Sequence, residues 1–360
     1  MTDLMKLIML GRTGNFGLEY TGFFLNTGGF HAEISLSSCS CRTGSGASEQ
    51  DHPILSLEKT QEGLLLSCDA FPASAPFSLT AVLGDESRTF TAADILSTEI
   101  EGLDPFEALE ENGVLYRLYS PASSSPRPLL LFLHGGGECG YDNLSQMTGT
   151  LGAIHLARSY PDLFVMAPQA PGRLSDMIPD KNAFYQNTFS GFRQPEGTGW
   201  HREYLAKICD IIRRLVQSGR VDRDRIYVTG LSMGGAGTLR ALSVGAGLFA
   251  AAAPVCPTMT PETYGILCSL TDTGLWISTA YADHTLYRHK YLVDAVMKLK
   301  DEGNRNVHLT LYAPEELEKY GISVDPGISL TERLSQNHNS WILTYHNEHG
   351  ILDWLISQHK

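Results

Sequence analysis

Residues 225–236 read Arg225-Ile-Tyr-Val-Thr-Gly-Leu-Ser-Met-Gly-Gly-Ala236. Arg225 to Thr229 is a short run that can be buried on both faces, as a strand inside a parallel sheet must be. Gly230-Leu-Ser-Met-Gly234 then fits G-x-S-x-G, and the small, apolar Gly235-Ala-Gly-Thr-Leu-Arg-Ala-Leu242 continues as a helix. A tight strand-to-helix turn at this spacing lifts the Ser232 hydroxyl clear of the sheet. Glycines at 230 and 234 remove the Cβ atoms that would collide in such a turn. The helix N-terminus lends its dipole and the Met233 amide to a developing oxyanion.

Working outward, the same alternation of strand and helix extends on both sides. Leu129-Leu-Leu-Phe-Leu133, Leu163-Phe-Val-Met-Ala167, Gly274-Leu-Trp-Ile-Ser-Thr-Ala280 and Val307-His-Leu-Thr-Leu-Tyr312 are further apolar strand runs. Between them, 203–218 places Leu205, Ile208, Ile211, Ile212 and Leu215 on one helical face, and 291–300 does so with Leu292, Val293, Val296 and Met297. The expectation is an α/β domain over 113–360, a mostly parallel sheet with helices on both faces. His134-Gly-Gly-Gly137 directly follows one strand, where glycine lets backbone amides approach a substrate; the second oxyanion donor is expected at the Gly136 amide, with Gly137 next.

The first 112 residues differ. Phe23-Phe24-Leu25, Leu64-Leu-Leu-Ser-Cys68 and Phe77-Ser-Leu-Thr-Ala-Val-Leu83 are short apolar or alternating runs separated by Gly, Ser and Asn, with Leu83-Gly-Asp-Glu-Ser87 as a hairpin turn. They predict a small antiparallel β-sandwich over 1–112. Residues 99–111 carry six acidic and no basic side chains and read as a solvated connector. The glycines of Leu7-Ile-Met-Leu-Gly-Arg-Thr-Gly-Asn-Phe-Gly17 mimic a dinucleotide fingerprint, but Leu18 to Leu25 reads as strand where that motif needs a helix.

Four stretches together resemble a known family: Leu133-His-Gly-Gly-Gly-Glu-Cys-Gly-Tyr-Asp-Asn143, Ala167-Pro-Gln-Ala-Pro171, Val228-Thr-Gly-Leu-Ser-Met-Gly-Gly-Ala236 and His338-Asn-Ser-Trp341. From about Val114 to Lys360 the chain resembles α/β-hydrolases of the branch that holds polyhydroxybutyrate-depolymerase-like, feruloyl-esterase-like and predicted-peptidase sequences. Some members carry an immunoglobulin-like domain first, which suits the strand-rich start. The resemblance implies the order nucleophile, acid, histidine. Asp283, just past the strand 274–280, is the expected acid. His338 is the expected base, in the loop matching the family's His-x-x-Trp pattern, ahead of His346 and His349. Gly137, Gln169 and Trp341 are expected at the substrate. His134 is read as part of the oxyanion loop, and His284 as a neighbour of the acid.

The implied chemistry is acyl transfer through an acyl-enzyme, with Ser232, His338 and Asp283 as triad and Met233 and Gly136 amides as oxyanion hole. A small or aromatic ester is the expected substrate, with no cofactor and no metal. A prolyl-oligopeptidase-like serine peptidase and an inactive binding protein on the same fold are the alternatives. The loops 172–199, rich in aromatics, and 313–337 are candidate lids.

Charge and cysteine content narrow the rest. The formal net charge of −13 disfavours nucleic acid and anionic membrane surfaces as partners. It is concentrated in residues 1–112, with 5 basic and 17 acidic side chains, and leaves 113–360 near neutrality with 22 and 23. The seven cysteines are odd in number and irregularly spaced, with no CxxC pair, which points away from a disulfide framework or zinc site and toward the cytoplasm. The apolar run after Lys6 is too short for a signal peptide. A sheet edge in the β domain offers a route to a homo-oligomer.

Overall fold

The computed structural model describes residues 5–28, 35–44, 48–83, 86–173, 175, 196–283, 288–322 and 336–360. Most of the loop 172–199, residues 323–335 of the second loop, and His284 lie outside the described residues. The chain divides into two compact units, Met1–Asp104 and Pro105–Lys360.

The first unit is a β-sandwich. Its strands are β1 (Lys6–Gly14), β2 (Gly17–Asn26), β3 (Cys39–Thr43), β4 (Gln50–His52), β5 (Ile54–Lys59), β6 (Gly63–Pro72), β7 (Phe77–Leu83), β8 (Glu86–Phe90) and β9 (Ile95–Ile100). They form sheets ordered β5-β6-β2-β1-β9 and β4-β3-β7-β8. All pairings are antiparallel except β1 with β9, so the fully antiparallel expectation fails at that one edge. Alternate residues point inward: Leu7, Met9, Phe23, Leu25, Leu64 and Leu66 from one sheet meet Cys41, Leu79, Ala81 and Phe90 from the other. The glycine run 11–17 is the β1–β2 hairpin, with Gly14 paired to Gly17.

The second unit holds β10 (Phe106–Glu111), β11 (Val114–Tyr119), β12 (Arg127–Leu133), β13 (Phe164–Pro168), β14 (Val221–Leu231), β15 (Ala251–Val255), β16 (Gly274–Ala280) and β17 (Val307–Tyr312). Their order is β10-β11-β13-β12-β14-β15-β16-β17. β10, β11 and β13 pair antiparallel, and every pairing from β13 to β17 is parallel. The helices that position the site are α1 (Ala153–Ser159), α2 (Arg202–Gln217), α3 (Met233–Val244), α4 (Pro261–Cys268) and α5 (Arg288–Asp301).

One boundary differs from the sequence reading. The units separate at 104/105, eight residues before the expected 112/113. The reason is β10: the expected solvated connector ends as an edge strand paired with β11. An edge strand of an antiparallel sheet needs only one covered face, so Phe106 is buried while Glu107 and Glu110 stay in water. Acidic side chains describe that outer face correctly and hide the pairing beneath it.

Candidate active site

Parallel pairing sets the site. Leu133, the last residue of β12, lies opposite Gly230 of β14, so the loop after β12 and the turn after β14 leave the sheet side by side. Ligand sites of open α/β sheets form at these carboxyl ends.

Ser232 occupies the turn with φ 58° and ψ −113°, a strained conformation for a residue with a side chain. Three backbone hydrogen bonds hold it there. Its amide donates to Val255 O at 2.9 Å, and its carbonyl accepts from Ala236 N and Thr258 N, both at 3.1 Å. The flanking glycines are required by backbone proximity. A Cβ on Gly230 meets Gly234 O at 2.5 Å, and one on Gly234 meets Leu133 O at 2.0 Å and His134 O at 2.5 Å. Met233 begins α3, so its amide lies at the helix N-terminus.

The loop after β12 turns at Gly136–Glu138. His134 braces it from below. Its Nδ1–H donates to Gly135 O at 2.6 Å, and its Nε2 accepts from Ala170 N at 2.8 Å. Burial pushes its pKa down to about 4, which keeps the ring neutral in that tautomer. The Trp200 indole lies on the imidazole at 4.8 Å, and its Nε1 donates to His134 O at 2.9 Å. A Cβ on Gly137 meets nothing within 4 Å, so this glycine borders open space.

The structure brings Ser232, His338 and Asp283 together. Ser232 Oγ lies 2.8 Å from His338 Nε2, and His338 Nδ1 lies 2.8 Å from Asp283 Oδ2. Asp283 follows β16, its amide closing a turn onto Ala280 O at 3.1 Å. Its carboxylate is wholly buried, yet both oxygens are occupied: Thr279 Oγ1 also donates to Oδ2 at 3.3 Å, and Arg288 Nη1 donates to Oδ1 at 3.0 Å. A carboxylate accepting at Nδ1 leaves Nε2 free to accept the serine proton. The His338 pKa is lowered, first by burial and then by the nearby Arg288 charge, with Asp283 opposing. Trp341 sets its ring edge-to-face on the His338 imidazole at 5.5 Å and 84°.

The other expected residues fall elsewhere. His346 stacks on Tyr320 at 5.0 Å, and His349 Nε2 lies 2.6 Å from Glu316 Oε1. Gln169 is a correction to the sequence reading. Its buried amide donates to Glu138 O at 3.1 Å and to Asp142 Oδ1 at 2.8 Å, and it accepts from Asn143 N at 2.7 Å. It ties down the chain 138–143 and has no polar atom left over for a substrate.

Cys256, Asp283 and His338 place ligand-type atoms within 4.8 Å of one another. They suit a metal poorly. The imidazole Nδ1 and both carboxylate oxygens are already bonded, and the buried Arg288 guanidinium repels a second cation.

Residues 198–305 match the family model described as the prolyl oligopeptidase family. A thermostable esterase of known structure is similar over 99% of this chain and 100% of its own, with 22% identity and a TM-score of 0.70. The chain has the α/β-hydrolase fold. Looser likenesses include an S-formylglutathione hydrolase of Staphylococcus aureus, at 14% identity, TM-score 0.43, and 70% of this chain against 96% of that one. An acylaminoacyl peptidase of Pyrococcus horikoshii is similar at 15% identity, TM-score 0.46, and 97% against 56%. Comparison with curated protein sequences gives no match.

For this α/β-hydrolase, sequence reasoning missed Arg288 and Trp200. Arg288 had a visible signal. It starts α5 on the same stripe as Leu292, Ala295, Val296 and Leu299, all buried, so a core-facing arginine five residues past the expected acid was there to be noticed.

Proposed function

We propose that this chain is a serine carboxylester hydrolase acting through an acyl-enzyme. The observation that carries the reading is the unbroken line Ser232 Oγ–His338 Nε2, His338 Nδ1–Asp283 Oδ2, with 2.8 Å at each contact. In the reaction His338 takes the Ser232 proton as the oxygen attacks the ester carbonyl. Asp283 holds the tautomer and steadies the imidazolium. The Met233 amide and the Gly136 amide receive the oxyanion, and Gly137 leaves room beside it. His338 then gives its proton to the leaving alcohol, and water repeats the cycle on the acyl-serine.

The substrate is proposed to be a small or aromatic ester. The full-length likeness to a thermostable esterase supports esters over amides. The second reading, a serine peptidase, is favoured by the match of residues 198–305 to the prolyl oligopeptidase family. A reducing compartment such as the cytoplasm is proposed from the seven unpaired cysteines. No helix among the described residues is long and apolar enough to cross a membrane.

A fluorophosphonate probe is expected to label the wild-type chain and not Ser232→Ala. Turnover of p-nitrophenyl acetate together with inertness toward peptide anilides decides for the esterase; the opposite preference decides for the peptidase. A Ser232→Ala variant with undiminished turnover refutes both.

A further inference from the structure

Arg288 is buried beside the acid of the proposed triad. Its guanidinium and the Asp283 carboxylate are both 0% exposed, with Nη1 3.0 Å from Oδ1. The other guanidinium nitrogens reach across to the turn after β15. Nε donates to Pro257 O at 3.0 Å, and Nη2 lies 3.4 Å from Thr258 Oγ1. Thr258 N in turn donates to Ser232 O at 3.1 Å. One side chain thus joins the loop that carries the acid to the turn that fixes the nucleophile's backbone.

Its charge matters as much as its reach. A carboxylate serving only an imidazole gives its full negative charge to the imidazolium. Here that carboxylate has Arg288 on Oδ1 and His338 on Oδ2, so protonating His338 puts two cations on one anion in a dry cage. Among the described residues, the other groups facing the imidazole do not offset this. Ser232 is neutral, Trp341 is an uncharged ring, and burial pushes the Cys256 thiol up to about 12, which keeps it neutral.

We propose that Arg288 is a positioning residue: it holds Asp283 in register with His338 and, by sharing that carboxylate, keeps His338 an unprotonated base in mildly acidic water. The inference rests on the triad reading of Ser232, His338 and Asp283. Its consequence is an esterase whose activity persists below the ordinary histidine range near 6.5.

The test is the acid limb of kcat/KM for p-nitrophenyl acetate, measured on the full-length wild type, Arg288→Met and Arg288→Lys. The wild-type midpoint is expected below about 6.5. Arg288→Met is expected to raise it by about one pH unit, because the carboxylate then serves His338 alone. Arg288→Lys keeps the charge, so its limb stays with the wild type while kcat falls, since an ammonium cannot span three acceptors. A folded Arg288→Met protein with an unmoved limb overturns the proposal. Should that variant fail to fold, Arg288→Gln, which keeps hydrogen-bond donors and loses the charge, decides on the same limb: an unmoved limb overturns the proposal, and a raised one supports it. Ser232→Ala is assayed alongside. If it keeps full turnover, the triad reading itself falls; if it is dead while the limb stays put, only the role of Arg288 falls.

Discussion

Gly234→Ala tests the idea that backbone contact between two loops sets the oxyanion site. The added Cβ stands 2.0 Å from Leu133 O and 2.5 Å from His134 O, where ordinary contact begins at 3.4 Å. The end of β12 and the start of α3 must therefore part by about 1.4 Å, or the residues between them must twist. Neither obstacle is a flexible side chain that can swing aside, and the β12–β14 ladder holds Leu133 opposite Gly230. Overpacking of this kind costs about 1–3 kcal/mol, which lowers the melting temperature by several degrees in a domain of this size. The catalytic cost is larger in proportion. The displaced loop carries the Gly136 amide, and losing one oxyanion donor typically removes about 10²–10³ from kcat. Hence kcat on p-nitrophenyl acetate should fall by about two to three orders of magnitude, with KM changed much less. Gly137→Ala is the control. Its Cβ meets nothing within 4 Å, so its melting temperature should match the wild type. A Gly234→Ala enzyme that keeps kcat within about threefold of wild type would mean the loop spacing does not govern the chemistry.

Gln169→Ala removes three hydrogen bonds from the chain 138–143, so we expect a lower melting temperature and a lower kcat with KM nearly constant; a raised KM at unchanged melting temperature would restore Gln169 as a substrate contact. Stability should fall on the acid side because of His134. Its folded pKa of about 4 lies below the ordinary 6.5, so between those values the unfolded chain binds a proton that the folded chain does not. The contribution is fully present above about pH 6.5 and is lost as pH falls toward 4, by about 3 kcal/mol in total. His155, His338 and His346, also lowered by burial, act in the same direction. Urea unfolding at neutral pH and near pH 4.5 checks this, and equal free energies at the two would contradict it.

What the sequence disclosed, it disclosed through local pattern. G-x-S-x-G after an apolar run is a property of a few consecutive residues, and the strands at 274–280 and 307–312 appear with the bounds expected of them. Ala251-Ala-Ala-Pro-Val255 did not stand out as a strand. Alanine carries little strand preference, and its place between β14 and β16 comes from pairing on both sides. β10 was hidden for the opposite reason, because its exposed face spoke louder than its single buried Phe106. In each case the deciding interaction is with residues far away in sequence.

The same distinction explains the site. Ser232 is expected from its local strand-to-helix pattern, and Asp283 and His338 from the family resemblance; the structure places the three within hydrogen-bond distance. What adjusts them cannot be named that way. Gln169 looked like a substrate contact because it lies in a matching stretch, yet its three partners lie 26 to 31 residues upstream in the loop it fastens. Arg288 grips Pro257 and Thr258, 31 and 30 residues upstream, and only the fold shows that a core-facing arginine has a buried carboxylate to meet. A buried cation next to the acid is costly unless every donor is used. The geometry uses Nε, Nη1 and Nη2, and the groups they hold are the acid and the backbone that supports the nucleophile. An arginine kept only to fill the core could be replaced by methionine with little change in pH response, so the acid limb, rather than the melting temperature, separates packing from electrostatics at this position.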